Sequence, residues 1–398
     1  MRMSAMRKMG FWTISIFVGI LFAVIAFSGD PVIATDTPLY LSIADDLRSQ
    51  PADVIFAKDR ALVTVLTLPS ILVLARDMAP NRWPYIIVFV NVVSMALAAG
   101  LLIAVVRLVT KSALASLAAL VAYVTSYDVI AWLRYVLTDN IFVLVATGVF
   151  YLLIRGIVRD ERSVRRRVGL GFALFVAFIT RAAGAVLVPV VIFSEWWSHR
   201  GPARGRFSRT APWILVLVVG AGGMFVRAYL FADLRRWPTE FLRPALETYA
   251  VREKGGEVVY DRVEARRAPP QSTADFVVLQ ADRFVRFFQF TTAGFSRTHN
   301  LVNTAYFVPF YLLALFGLFD GLWRDRTRRT VVAVTTLWIL SVAWLHALTV
   351  LDFDWRYRLP VMPMLILLAA CGVEGLAGRI AHRLPGPDAP AADATSNL

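Results

Sequence analysis

Residues 83–106 run for twenty-four positions without one Asp, Glu, Lys or Arg. A stretch that long and that apolar has to be buried on all sides or lie in a bilayer. Apolar runs with at most one such residue each occupy 11–27, 61–75, 112–125, 136–154, 168–180, 182–194, 211–231, 303–322, 330–350 and 359–378. With 58% apolar residues in a chain of 398 and a mean hydropathy of +0.62, too little polar sequence remains to cover a soluble domain of this size. In a bilayer each segment must satisfy its own backbone, which leaves helices as the simplest solution. The expected fold class is therefore all-α: a polytopic transmembrane helical bundle of about ten crossings plus interfacial helices, forming a single domain over residues 1–378. Residues 379–398 read as a disordered cytoplasmic tail.

The net charge of +14 would fit nucleic acid on a soluble domain, but the basic residues are spread in short clusters between apolar runs, so no nucleic-acid partner is expected. Three clusters stand out: Arg155–Arg167 with six arginines, Arg200–Arg209 with four, and Arg324–Arg329 with four. Such clusters mark the cytoplasmic side. The start of the chain, with Arg2, Arg7 and Lys8 before the 11–27 run, resembles a signal peptide, but Ala26-Phe27-Ser28 is a poor cleavage site, so a retained first helix is expected.

Parity then constrains the topology. If 61–75 crossed, all three arginine clusters would face outward; if it lies along or dips into the surface, all three face inward. The run is also short, and Asp59-Arg60 and Arg76-Asp77 bracket it, so it reads as re-entrant or interfacial. The runs 168–180 and 182–194 then form a hairpin broken at Thr180-Arg181, and both termini are cytoplasmic. The segments 28–82, 126–135, the Arg181 tip, 232–302 and Asp352–Arg358 share the extracytoplasmic side. The high Arg and Ala content fits a bacterium with a GC-rich genome, and the membrane expected is the bacterial inner (plasma) membrane. Within 232–302, Phe276, Val277, Phe284, Val285, Phe287 and Phe288 alternate with Asp275, Asp282, Arg283 and Arg286, the pattern of an amphipathic helix on the membrane or a lid packed over the bundle.

The single cysteine, Cys371, sits inside an apolar run, which removes disulfides and cysteine-built metal sites. His199, His299, His346 and His382 have no two members at ligand spacing, so a histidine-built metal site is not expected. There is no phosphate-binding glycine loop, dinucleotide fingerprint or internal repeat.

What remains is a set of ionisable residues at the ends of apolar runs, where charge is costly and usually has a use. Asp36 follows the first run, with Pro38, Leu39, Tyr40, Ile43 and Leu47 behind it at helical spacing, as for a short surface helix. Asp36 could cap that helix, or act as a base at the water edge of an apolar site. Asp139 opens the 136–154 run, as a helix-terminal carboxylate or as a second acid that orients a sugar or holds a divalent ion; Asp128 competes for that role. Arg181 at the hairpin tip could hold a phosphate through its planar fork, or reach a lipid headgroup. Arg356, Tyr357 and Arg358 open the last run, either to clamp a phosphate or as an aromatic and basic interfacial belt. Arg134 and His299 are weaker candidates for the same acidic ligand.

In this order and spacing the chain resembles the GT-C superfamily of membrane glycosyltransferases, which includes protein O-mannosyltransferases and the lipid A aminoarabinose transferase. The resemblance rests on Asp36-x-x-x-Tyr40 after the first helix, Thr138-Asp139 at a helix entry, Thr180-Arg181-x-x-Gly184, and Arg356-Tyr357-x-x-Pro360-x-x-Pro363. It implies transfer of a sugar from a polyprenyl-phosphate carrier, outside the cytoplasm, to a cell-envelope glycan or lipid. On that resemblance Asp36 is the general base of an inverting reaction, and Arg181 and Arg356 hold the departing polyprenyl phosphate. Tyr40, Asp128, Arg134, Asp139, His299, Tyr357 and Arg358 join them in binding substrate. Many members carry two adjacent acids in the first loop, whereas Asp36 is followed by Thr37, and metal dependence varies across the superfamily. Two other readings use the same residues: a transporter or flippase of a lipid-linked saccharide, and an O-antigen ligase or polymerase working from a large loop with arginine and His299.

Overall fold

The computed structural model describes residues 2–34, 36–51, 54–55, 60–161, 163–199, 273–292, 294–349 and 355–383. The Arg200–Arg209 cluster, the 211–231 run, residues 232–272, Asp352 and Asp354 lie outside them. Among the described residues all repetitive structure is helical, and one isolated bridge joins Val32 to Tyr135.

The helices are α1 (Arg2–Ala26), α2 (Thr37–Ser49), α3 (Thr67–Met78) after a 3-10 segment Arg60–Val65, α4 (Trp83–Thr110), α5 (Ala113–Thr125), α6 (Asp139–Arg159), α7 (Val164–Thr180), α8 (Leu187–His199), α9 (Thr273–Phe287), α10 (Arg297–Leu322), α11 (Arg326–Thr349) and α12 (Met362–Arg383). Their ends follow local chemistry. Ser112, Ser163 and Ser296 cap α5, α7 and α10, accepting from the amides of Ala115, Arg166 and His299. Pro38 and Pro84 sit in the first turns of α2 and α4, where a missing amide costs nothing.

Among the described residues five helices are long and apolar enough to cross a membrane: Trp83–Thr110, Asp139–Arg159, Arg297–Leu322, Arg326–Ala347 and Trp355–Ala381. Gly10–Ala26, Ala113–Thr125 and Ala182–Trp197 are apolar but shorter. The molecule is thus all-helical and compatible with a multi-pass membrane protein. The 61–75 run divides into a 3-10 segment and α3, whose 12 residues rise about 18 Å against a hydrocarbon core of about 30 Å. The 112–125 run is a helix of 13 residues, about 20 Å long, so its length alone does not carry a crossing.

α12 lies at the centre, packed against α10, α5, α4 and α11. The α10–α12 seam is unusually close: a methyl on Gly317 would collide with the Leu368 carbonyl, and one on Gly372 with the Leu313 carbonyl. Small residues that let backbones touch are a common device for holding membrane helices together. α4 packs against α1 and α6, and α6 against α7. A second, smaller core lies under the α2–α3 pair and gathers Tyr40, Ala44, Leu68, Leu72, Ile87, Val136 and Ile141.

Three local expectations change. α2 turns Thr37, Tyr40, Ile43 and Ala44 inward, where it packs against α3, and leaves Leu39 exposed. α9 buries Gln280, Arg283 and Phe287 against α11 while Val278 and Val285 face outward, so its inner stripe is partly polar. The last helix continues to Arg383, beyond the start of the expected tail.

The connections sort to two ends. At one, Arg166 forms a two-point pair with Glu195 (2.9 and 2.8 Å), which brings the start of α7 beside the end of α8 and makes this pair a hairpin. Arg155–Glu161 (2.8 Å), Arg324–Asp320 (3.0 Å) and the Arg328 bond to the Val109 carbonyl (2.8 Å) belong to the same set of connections. At the other end meet Asp36, the 126–138 segment, Arg181, Gln289, His299 and the 355–358 turn.

Candidate functional site

The 126–138 segment positions much of the site. Val32 donates to the Arg134 carbonyl (2.8 Å) and accepts from the Val136 amide (3.0 Å), tying the first loop to this segment. Thr37 donates its hydroxyl to the Val136 carbonyl (3.0 Å) and accepts from the Ala34 amide (2.9 Å), which fixes the entry to α2. Asn91 and Asn140 bind the carbonyls of Tyr135 and Trp132, both at 2.8 Å, and so satisfy backbone that has no helix to satisfy it.

Asp36 occupies the N-cap position of α2, yet its side chain makes no capping bond. Its carboxylate instead accepts from Arg356 at 2.8 Å and remains 41% exposed, with Arg356 at 17%. Arg356 also donates to the Tyr357 hydroxyl (3.0 Å). Behind this pair, Arg181 is bonded to Asp139, which is 2% exposed. Arg181 leaves the end of α7 in extended geometry (φ −159°, ψ 140°), and the chain then tightens into the 3-10 segment Ala182–Val186. Gly184 makes that return against the Ala177 carbonyl, where a methyl would collide. Thr180 meets Thr67 hydroxyl to hydroxyl at 2.9 Å, so α3 touches the tip as well.

Tyr357 joins the two pairs: the Arg181 and Arg356 guanidinium carbons lie 5.5 and 5.0 Å from its ring centre. Burial works most strongly against the charge of Arg181, but Asp139, Tyr40 and Tyr357 together outweigh it and hold the guanidinium above its ordinary pKa. Tyr40 has Arg181, Asp139 and Asp36 as electrostatic neighbours; its burial outweighs the opposing pull of Arg181 and pushes its phenol up, keeping it a proton donor at neutral pH.

Asp36, Tyr40, Asp139, Arg181, Arg356 and Tyr357 therefore form one cluster. Asp128 and Arg358 form another. Their side chains are fully buried, with a second guanidinium–carboxylate bond of 3.0 Å, and Arg358 also reaches the Gln289 carbonyl (2.7 Å) and the Tyr311 hydroxyl (3.2 Å). Here the arginine is committed to the fold, joining the 355–358 turn to 126–130 and to the chain after α9. His299 stacks on Phe295 (4.0 Å) and meets Tyr127 edge-on (4.9 Å), with Trp355 beside Phe295 (4.7 Å). Arg134 lies against the backbone at Gly29. Among the described residues neither His299 nor Arg134 is paired with a member of the Asp36 cluster.

His346 joins the cluster, although sequence reasoning does not single it out. It stacks on Tyr357 at 4.6 Å, and both ring nitrogens are buried without a hydrogen-bond partner among the described residues. A signal is present in the sequence: it is the one ionisable side chain in the 330–350 run. Among the described residues no three His, Cys, Asp or Glu side chains gather as metal ligands would.

The arrangement offers a half-exposed carboxylate that can take a proton. Beside it are two guanidinium groups, each with more N–H donors than its own carboxylate partner uses, which suits an incoming oxyanion. Compared with known proteins, the chain matches no protein-family profile, no curated protein and no solved structure.

Proposed function

We propose that the protein is an integral-membrane glycosyltransferase that moves a sugar from a polyprenyl-phosphate carrier to a cell-envelope glycan or lipid. The observation that carries this reading is the Asp36–Arg356 pair: an acid at the head of a surface helix that spends its side chain on an arginine and not on capping. Asp36 takes the proton of an acceptor hydroxyl; that oxygen bonds to the anomeric carbon as the carbon–phosphate oxygen bond breaks, with inversion. The phosphate leaves with the bonding electrons and is held by Arg181 and Arg356, whose charge is worth most where water is thin. Asp139 keeps Arg181 oriented, and Tyr357 spaces the two guanidinium groups.

The topology proposed with it has ten crossings, both termini in the cytoplasm and the site outside. It is supported by the sorting of the two described arginine clusters, Arg155–Arg167 and Arg324–Arg329, to one end and of the cluster around Asp36 to the other. A metal is not part of the proposal.

The test uses purified protein in lipid, a panel of radiolabelled polyprenyl-phosphate sugars and a membrane-glycan extract. Asp36→Asn is expected to lower transfer by about 10²–10⁴-fold, the usual worth of a general base, with an unchanged thermal midpoint. Equal transfer by both proteins removes Asp36 as the base. Saturable carrier binding without transfer by wild type moves the reading to a transporter of lipid-linked saccharides.

A further inference from the structure

His346 lies between two aromatic rings, Tyr357 at 4.6 Å and 28° and Phe287 at 5.9 Å and 17°. It is 9% exposed, and among the described residues neither ring nitrogen has a hydrogen-bond partner. A phenylalanine would fill such a stack without burying polar atoms. An imidazole there gives up the hydration of a donor and an acceptor for no return inside the protein, and native structures rarely leave such groups unmatched. The two flanking rings also fix the imidazole plane, and so the directions in which its nitrogens point.

The neighbours define what would complete it. Tyr357 touches His346 and also carries Arg181 and Arg356 at 5.5 and 5.0 Å. Those guanidinium groups suit the phosphate of a bound lipid. A group beside them with one donor and one acceptor suits a hydroxyl, which has both. We propose that His346 recognises the sugar of the lipid-linked donor by hydrogen-bonding one of its hydroxyls next to the Asp36–Arg181–Arg356 cluster. The proposal rests on the glycosyltransferase reading and adds the residue that distinguishes a glycosylated carrier from a bare one.

The experiment measures binding by protein in nanodiscs to farnesyl phosphate and to a panel of farnesyl-phosphoryl hexoses and pentoses. Wild type is expected to bind at least one glycosylated lipid about tenfold more tightly than farnesyl phosphate, the scale of one well-placed hydrogen bond. His346→Phe, which keeps the stack, should lose that preference while retaining its affinity for farnesyl phosphate. His346→Gln, which restores a donor and an acceptor, should recover part of it. Preference retained in His346→Phe, or absent in wild type that binds farnesyl phosphate, overturns the role of His346 alone. Wild type that binds neither class of lipid overturns the glycosyltransferase reading and this proposal with it.

Discussion

Two carboxylate–arginine pairs at the same end of the molecule do different work because their surroundings differ. Asp36 and Arg356 are 41% and 17% exposed, and a pair in such a setting contributes roughly 0.2–1 kcal/mol to stability. Asp128 and Arg358 are sealed from solvent, and removing one partner strands the other charge, at a cost of about 3–5 kcal/mol. Asp128→Asn and Arg358→Met should therefore each lower the thermal unfolding midpoint sharply, whereas the double replacement Asp128→Leu with Arg358→Met should cost less than either alone. Losses that simply add would show that the two charges act separately. Asp36, Asp139, Arg181 and Arg356 can be picked out of the sequence because each is a charge at the end of an apolar run. Which acid meets which arginine cannot: Asp36–Arg356 and Asp128–Arg358 span 320 and 230 residues, and only the bundle brings them together. His346 escapes a search for metal-ligand spacing, because an imidazole stacked between rings leaves no spacing signal.

At the scale of elements, the break between α7 and α8 is a backbone device. Gly184→Ala should push the return away from the Ala177 carbonyl, costing about 1–3 kcal/mol and displacing Arg181 from the cluster. Gly171→Ala on α7, where a methyl meets nothing, is the control and should be neutral or slightly stabilising. Thermal unfolding with carrier-lipid binding checks both; equal behaviour of the two variants would refute the role given to the turn. Helix ends are legible where Ser112, Ser163, Ser296 and Pro38 announce them. Inward faces are less so. By spacing Leu39 belongs to the α2 apolar face, yet it points away; by charge Arg283 belongs to the solvent side of α9, yet it is buried. A face is chosen by the neighbouring helix as well as by hydropathy.

For the whole molecule, the two sets of connections make a prediction about sidedness. Cys371 is buried within α12, so an added thiol can be labelled without replacing it. An impermeant maleimide should label Asp77→Cys in intact cells, while Arg159→Cys should react only after permeabilisation. Labelling of both from the same side would refute the two-ended topology. The membrane character is plain from the apolar runs, but the number of crossings is not, because several runs fold into helices shorter than a bilayer is thick.

Where Gly317 and Gly372 bring α10 and α12 into contact, no layer of side chains lies between the helices through which one could shear past the other. Locked at that point, the two are expected to move as a single lever. One arm of it begins at His299 and at the turn that carries Arg356 and Arg358; the other reaches Asp320 on α10 and Arg379 on α12, themselves bonded at 3.0 Å. A probe on the far arm, well away from any substrate, therefore reports movement at the site.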